Sequence, residues 1–264
     1  MIIEFIGAPG AGKTTLVPAL TGFFAEQGIR AFTVVDAARP CASRTIAGKA
    51  VNQLAPIALR RPLLWQLFYY YSVLYRLKFI ALHPRLMWQV IRSQRKRPTA
   101  AETRRRKVSY WFYRLIGYYE FLKVYSRPDE VLVFDEGFLH RVVQLFSSHV
   151  EKPSAQQIEA YVNLLPRPDL VIFIRAPREV CEQRLYSRGL WARLQEKDPA
   201  EVKQFVSNAH LAVNLAVAHA KNQGWTVVDV NNEQSELNLT INELRHRLAL
   251  IAAPAGKSLK VQTA

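Results

Sequence analysis

Five short apolar runs punctuate the chain, and longer stretches with helical spacing separate them. IIEFI opens the sequence at Ile2. A second run, 31–35, ends at Asp36, and a third, 131–134, ends at Asp135. LVIFI lies within 169–175, and a fifth run spans 225–230. Consecutive apolar, β-branched positions suit strands buried on both faces of a parallel sheet. Alternation of such strands with helices predicts α/β layering. The interval between the second and third strands is too long for one crossover. Its pattern predicts helices over 62–82, 84–97 and 100–125, with Pro62 and Pro84 at the first two starts, where a missing N–H is harmless. One domain over 1–252 is expected, with 39–127 as an insert and 253–264 as a flexible tail.

Composition changes this picture in one place. Half of the 264 residues are hydrophobic, which excludes a mainly disordered chain. Cys41 and Cys181 are far apart and fit neither a disulfide framework nor a zinc-ligand spacing. The N-terminus has no basic region followed by a long apolar one, so a cytoplasmic protein is expected. The formal net charge is +15, and its distribution is uneven: residues 39–127 hold 19 Lys and Arg against two acids, Glu102 and Glu120. Residues 62–125 also carry 16 of the 29 aromatic side chains. A basic, aromatic insert interrupts an otherwise near-neutral scaffold.

The residues following the first strand carry the clearest chemistry. Gly7-Ala8-Pro9-Gly10-Ala11-Gly12-Lys13-Thr14 matches G-x-x-x-x-G-K-[ST] at every defined position. Glycines let successive backbone N–H groups turn toward phosphate oxygens, and the helix beginning at Lys13 adds its positive end. Lys13 is placed to meet the β- and γ-phosphates, and the Thr14 hydroxyl is a hard ligand for Mg²⁺. The expected nucleotide-binding set is Gly7, Pro9, Gly10, Ala11, Gly12, Lys13, Thr14 and Thr15. Pro18 falls early in the same helix and should bend it rather than end it.

Two carboxylates are expected beside this loop. In open α/β sheets, ligands sit outside the carboxyl ends of the strands, which is where Asp135 and Asp36 fall. Asp135 is the candidate for holding Mg²⁺ together with Thr14. Asp36 or the adjacent Glu136 is the candidate base for an acceptor hydroxyl. Asp36 also fits an ordinary turn or cap. His140 reads as a capping or packing residue, although it or Arg141 could face an acceptor.

GAPGAGKTTL, the strand-end Asp36, FDEG at 134–137 and PDLVIFIRAPREVCEQRLYSRG at 168–189 resemble the thymidylate kinase-like P-loop kinases, a family that includes nucleoside monophosphate and deoxynucleoside kinases. The resemblance covers about residues 1–38 and 128–250. It implies a five-stranded parallel sheet of order 2-3-1-4-5 and ATP and Mg²⁺ as donor and metal. It also implies an arginine-bearing lid over 179–193, with Arg184, Arg188 and Arg193. Arg184 and Arg188 would pair with phosphate oxygens and stabilise transition-state charge. Asp229, Val230 and Asn231 would lie against the adenine.

Two positions depart from that family. Glu136 stands where an arginine is usual, and Ala37-Ala38-Arg39-Pro40 replaces a glycine-bearing acceptor loop. The expected activity is therefore transfer of the γ-phosphoryl group to an unassigned small-molecule hydroxyl or phosphate. The alternative is a P-loop ATPase or switch that docks on a membrane or nucleic acid through its insert. Residues 62–82 approach the length of a membrane span, but Arg76 and Lys78 fall inside, favouring a core or interfacial helix. The clusters at 95–97 and 104–107 suit an anionic membrane surface, making peripheral contact through 62–107 a candidate. Nucleic acid is a weaker candidate, because no recognition motif accompanies the charge.

Overall fold

The structure, a computed structural model, describes residues 1–95, 102–191, 194–233 and 237–252. The expected tail, Arg193, and the side chains of the clusters at 95–97 and 104–107 lie outside what it describes.

Five parallel strands form one sheet: β1 (Ile2–Ile6), β2 (Arg30–Thr33), β3 (Glu130–Phe134), β4 (Leu170–Arg175) and β5 (Val227–Asn231). Their order is β2-β3-β1-β4-β5, as the resemblance implied. This is the P-loop architecture. The central strands are apolar on consecutive positions because helices cover both faces; every residue of β3 is buried. Helix α1 (Lys13–Glu26) runs through Pro18. Helices α7 (Val142–Phe146), α8 (Ala155–Val162), α9 (Arg178–Arg188), α10 (Pro199–Asn222) and α11 (Leu237–Ala252) complete the scaffold, α11 lying beside α1 with Arg245 paired to Glu26. Helix α10 starts sharply because Asp198 and Glu201 form a reciprocal capping box that spans Pro199 in the first turn.

Among the described residues, five helices lie between β2 and β3: α2 (Val34–Arg44), α3 (Ile46–Leu54), α4 (Ile57–Leu82), α5 (Pro84–Arg95) and α6 (Glu102–Tyr125). Two expectations are corrected here, and two helices appear where none was assigned. The second strand stops at Thr33 instead of running to Asp36, because the Thr33 hydroxyl accepts the Asp36 N–H and caps α2. Residues 34–54 form two helices, the second capped by Thr45, which accepts from Gly48. Pro62 lies inside α4, and Pro56 is its N-cap.

The insert is packed into the scaffold. Phe68 of α4 meets Tyr118 and Phe121 of α6 at centroid distances of 4.8 and 5.4 Å. The helices cross closely at Gly117, where a Cβ would stand 2.3 Å from the Ser72 carbonyl oxygen. Phe79 of α4 stacks on Phe138, just beyond β3, at 5.3 Å. Arg44 of α2 grips Glu130 at the start of β3 through both terminal nitrogens and also donates to the Tyr125 carbonyl. No helix among the described residues is long and apolar enough to cross a membrane.

Candidate phosphoryl-transfer site

The loop between β1 and α1 is shaped by glycine. Gly10 and Gly12 have φ of 85° and 97°, a region that L-residues with side chains rarely adopt. Space is also exhausted: a Cβ on Gly10 would lie 2.4 Å from the Cys181 carbonyl oxygen of α9. Gly12 is the N-cap of α1, so the helix's unpaired N–H groups face the concave side of the loop. The Lys13 ammonium crosses that concavity and donates to the carbonyls of Gly7 and Ala8 at 3.0 and 3.3 Å. Thr14 and Thr15, in the first turn, are exposed.

Charges converge on this loop from two directions. Burial pushes the Lys13 ammonium down to about 8, with the Glu136 and Asp135 charges among those opposing the shift and Arg188 adding to it. The acids following β3 and Arg188 of α9 therefore act on the same ammonium. Arg184 of α9 is half-buried. Its Nη1 atom is buried without a protein hydrogen-bond partner and would stand 3.8 Å from a Cβ on Gly12. A guanidinium nitrogen left unpaired against a phosphate-binding loop fits an anionic ligand. Arg188 follows one turn later, exposed.

Asp135 and Glu136 occupy the carboxyl end of β3. The Glu136 N–H donates to Asp135 Oδ1 at 3.0 Å. Partial burial and then the neighbouring Glu136 charge raise the Asp135 carboxyl above its ordinary range. Arg141 holds Glu136 from behind, with Nη1 3.2 Å from Oε2 and Nη2 donating to the Glu136 carbonyl at 3.1 Å. His140 Nε2 stands 3.9 Å from the same carboxylate. Both His140 and Arg141 are buried in a 3-10 turn, Leu139–Arg141. Oxygen donors from Thr14 and Asp135 suit Mg²⁺, which takes few protein ligands and completes its shell with phosphate and water.

Asp36 is exposed on the first turn of α2, where its Oδ2 accepts the Thr33 hydroxyl at 2.7 Å. Asp229 and Val230 lie within β5: Val230 is buried, and Asp229 is paired with Arg175 and Lys221. Asn231 ends the strand, exposed.

Two residues that the sequence reading passed over shape the site. Asn232, buried just beyond β5, donates from Nδ2 to the Ala11 carbonyl at 2.7 Å and fastens the loop to the far sheet edge. Glu4, in the middle of β1, is 1% exposed. Its two oxygens accept the N–H groups of Phe138 and Leu139 at 3.1 and 3.0 Å. A Cβ on Gly137 would lie 2.3 Å from the Glu4 carboxyl carbon, so a side chain there would displace the Glu4 carboxylate. Glu4 thus anchors the loop that carries Asp135 and Glu136. The Tyr161 hydroxyl donates to the Phe138 carbonyl and anchors that loop from α8. The only sequence signal for Glu4 was one acid inside an apolar strand; Asn232 had none beyond its place after the strand.

No protein-family model and no curated relative matches the chain. Among solved structures, it is similar to deoxyadenosine kinase from M. mycoides with bound dCTP, at 13% identity and a TM-score of 0.38, covering 94% of this chain and 98% of that one. It is likewise similar to the same kinase with bound dATP, at 13% identity and a TM-score of 0.43, covering 94% and 99%.

Proposed function

We propose that the chain is a Mg²⁺- and ATP-dependent phosphotransferase that moves a γ-phosphoryl group to a small-molecule hydroxyl or phosphate. The observation that carries this reading is the two-sided arrangement around Lys13. On the donor side are a complete phosphate loop and the unpaired Arg184 nitrogen, which stands against Gly12 of that loop. On the acceptor side are Asp135 and an arginine-held Glu136, whose charges act on the Lys13 ammonium. A simple nucleotide-binding switch needs the first side; an acceptor needs the second.

In this reading the loop N–H groups and Lys13 hold the β- and γ-phosphates, and Arg184 and Arg188 stabilise charge on the moving group. Thr14 and Asp135 would hold Mg²⁺, which neutralises phosphate charge when bound. Glu136, kept in place by Arg141, orients the acceptor and takes its proton. Asp36 serves as a helix cap. The β5 end, from Asp229 to Asn232, borders the base. The insert backs the acceptor side from within the core, where buried Phe79 and Tyr119 pack on Phe138. A nucleoside is the first acceptor to test, because the motifs resemble a family that includes deoxynucleoside kinases.

Titration calorimetry with Mg·ATP tests the donor side. Lys13→Ala removes a charge-assisted contact of about 3 kcal/mol, so affinity should fall on the order of a hundredfold in a folded variant. Unchanged affinity would contradict the assignment.

A further inference from the structure

The face of α4 turned away from α6 has an unusual character. Leu64, Phe68, Ser72 and Phe79 point into the core. The opposite stripe, Tyr70, Val73, Leu74 and Leu77, follows i, i+3, i+4, i+7 spacing, and three of its members are 67%, 60% and 64% exposed (Tyr70, Leu74 and Leu77). A helix on the surface of a soluble domain normally presents polar residues there. The next helix, α5, carries Arg85, Trp88 and Arg92 at i, i+3, i+7 spacing, all exposed. Ile46 and Leu54 of α3 are exposed apolar side chains of the same insert.

We propose that this face of the insert lies on an anionic lipid surface. Charge decides between the occupants an apolar face can take. The segment 39–127 carries 19 basic residues and two acids. Of those acids, Glu120 is buried and paired with Lys78 at 2.7 Å. A second copy would bring like charge against like, whereas anionic headgroups complement it. Arginine and tryptophan side by side, with an apolar helix face, suit the boundary between headgroups and acyl chains. The stripe belongs to α4, whose Phe79 stacks beneath the carboxylate loop, so docking would hold the acceptor side of the site near the lipid.

The proposal is tested by vesicle flotation without ATP, so it stands or falls separately from phosphoryl transfer. Vesicles of phosphatidylcholine alone are compared with vesicles containing phosphatidylserine, each at low and high salt. The full chain should float with the anionic vesicles at low salt and be released at high salt. Arg85→Gln with Arg92→Gln should weaken binding about thirtyfold, at about fivefold for each charge near an anionic surface. Leu74→Glu with Leu77→Glu should abolish binding while leaving the thermal unfolding transition in place. If that second pair fails to fold, the arginine pair still decides. A chain that stays in solution with both vesicle types at low salt overturns the proposal. So does a chain that sediments as a dimer and becomes monomeric on Leu74→Glu with Leu77→Glu.

Discussion

Replacing Glu4 with glutamine should change how stability depends on pH. The carboxyl is deeply buried in β1. Burial outweighs its two backbone N–H donors and the nearby Arg141, and pushes it up to about 7 from an ordinary 4.5. Between those values the native protein keeps a proton on Glu4 that the unfolded chain has released. Stability from this group is therefore fully present below about pH 4.5, falls as pH rises, and levels off above about pH 7. At about 1.36 kcal/mol per tenfold change in proton affinity, the interval from 4.5 to about 7 corresponds to about 3 kcal/mol. Glutamine has no such proton. It offers one oxygen to the N–H groups of Phe138 and Leu139 and turns an NH₂ toward the other, costing about 1–3 kcal/mol at acid pH. Urea unfolding of parent and Glu4→Gln from pH 4.5 to 8 reads the difference directly. Other titrating groups, including Asp135, cancel between the two proteins. The variant should start less stable and gain about 3 kcal/mol on the parent across the range. A gap that stays constant within about 1 kcal/mol would refute the buried, protonated carboxyl.

Two further substitutions separate structural from chemical roles. Arg44→Ala strands Glu130, which is 1% exposed, and should destabilise the fold by about 3 kcal/mol in urea; a change below about 1 kcal/mol would contradict the account. Asp36→Asn keeps an acceptor for the Thr33 hydroxyl and should leave kcat within about threefold of the parent, whereas Glu136→Gln should lower kcat on the order of a hundredfold at similar ATP affinity. The reverse ranking in steady-state kinetics would move the base to Asp36.

The central strands were legible because burial on both faces leaves a continuous apolar run, and the phosphate loop was legible because its chemistry fixes residue types at fixed spacing. Asp36 shows where such reading stops. A strand-end acid and an N-cap partner both follow an apolar run, and only the Thr33 hydroxyl's turn toward the Asp36 N–H separates them. Pro62 misled for a related reason: proline marks a first turn well, yet α4 begins five residues earlier and tolerates the lost N–H. Glu4 was hidden because a lone acid in a strand reads as a solvent-facing position, while its partners are backbone groups more than 130 residues away. Asn232 reaches the loop from a distance of 221 residues, which no local pattern records.

The central claim is that the two sides of the site work on two substrates. The most direct measurement is transfer of label from γ-labelled ATP in the presence of Mg²⁺ across a panel of acceptors, beginning with nucleosides and extending to other small hydroxyl and phosphate compounds. The account predicts label appearing on one acceptor class, with ADP release that depends on that acceptor and is lost in Asp135→Asn. Release of label as inorganic phosphate alone, at the same rate whichever acceptor is present, would contradict it.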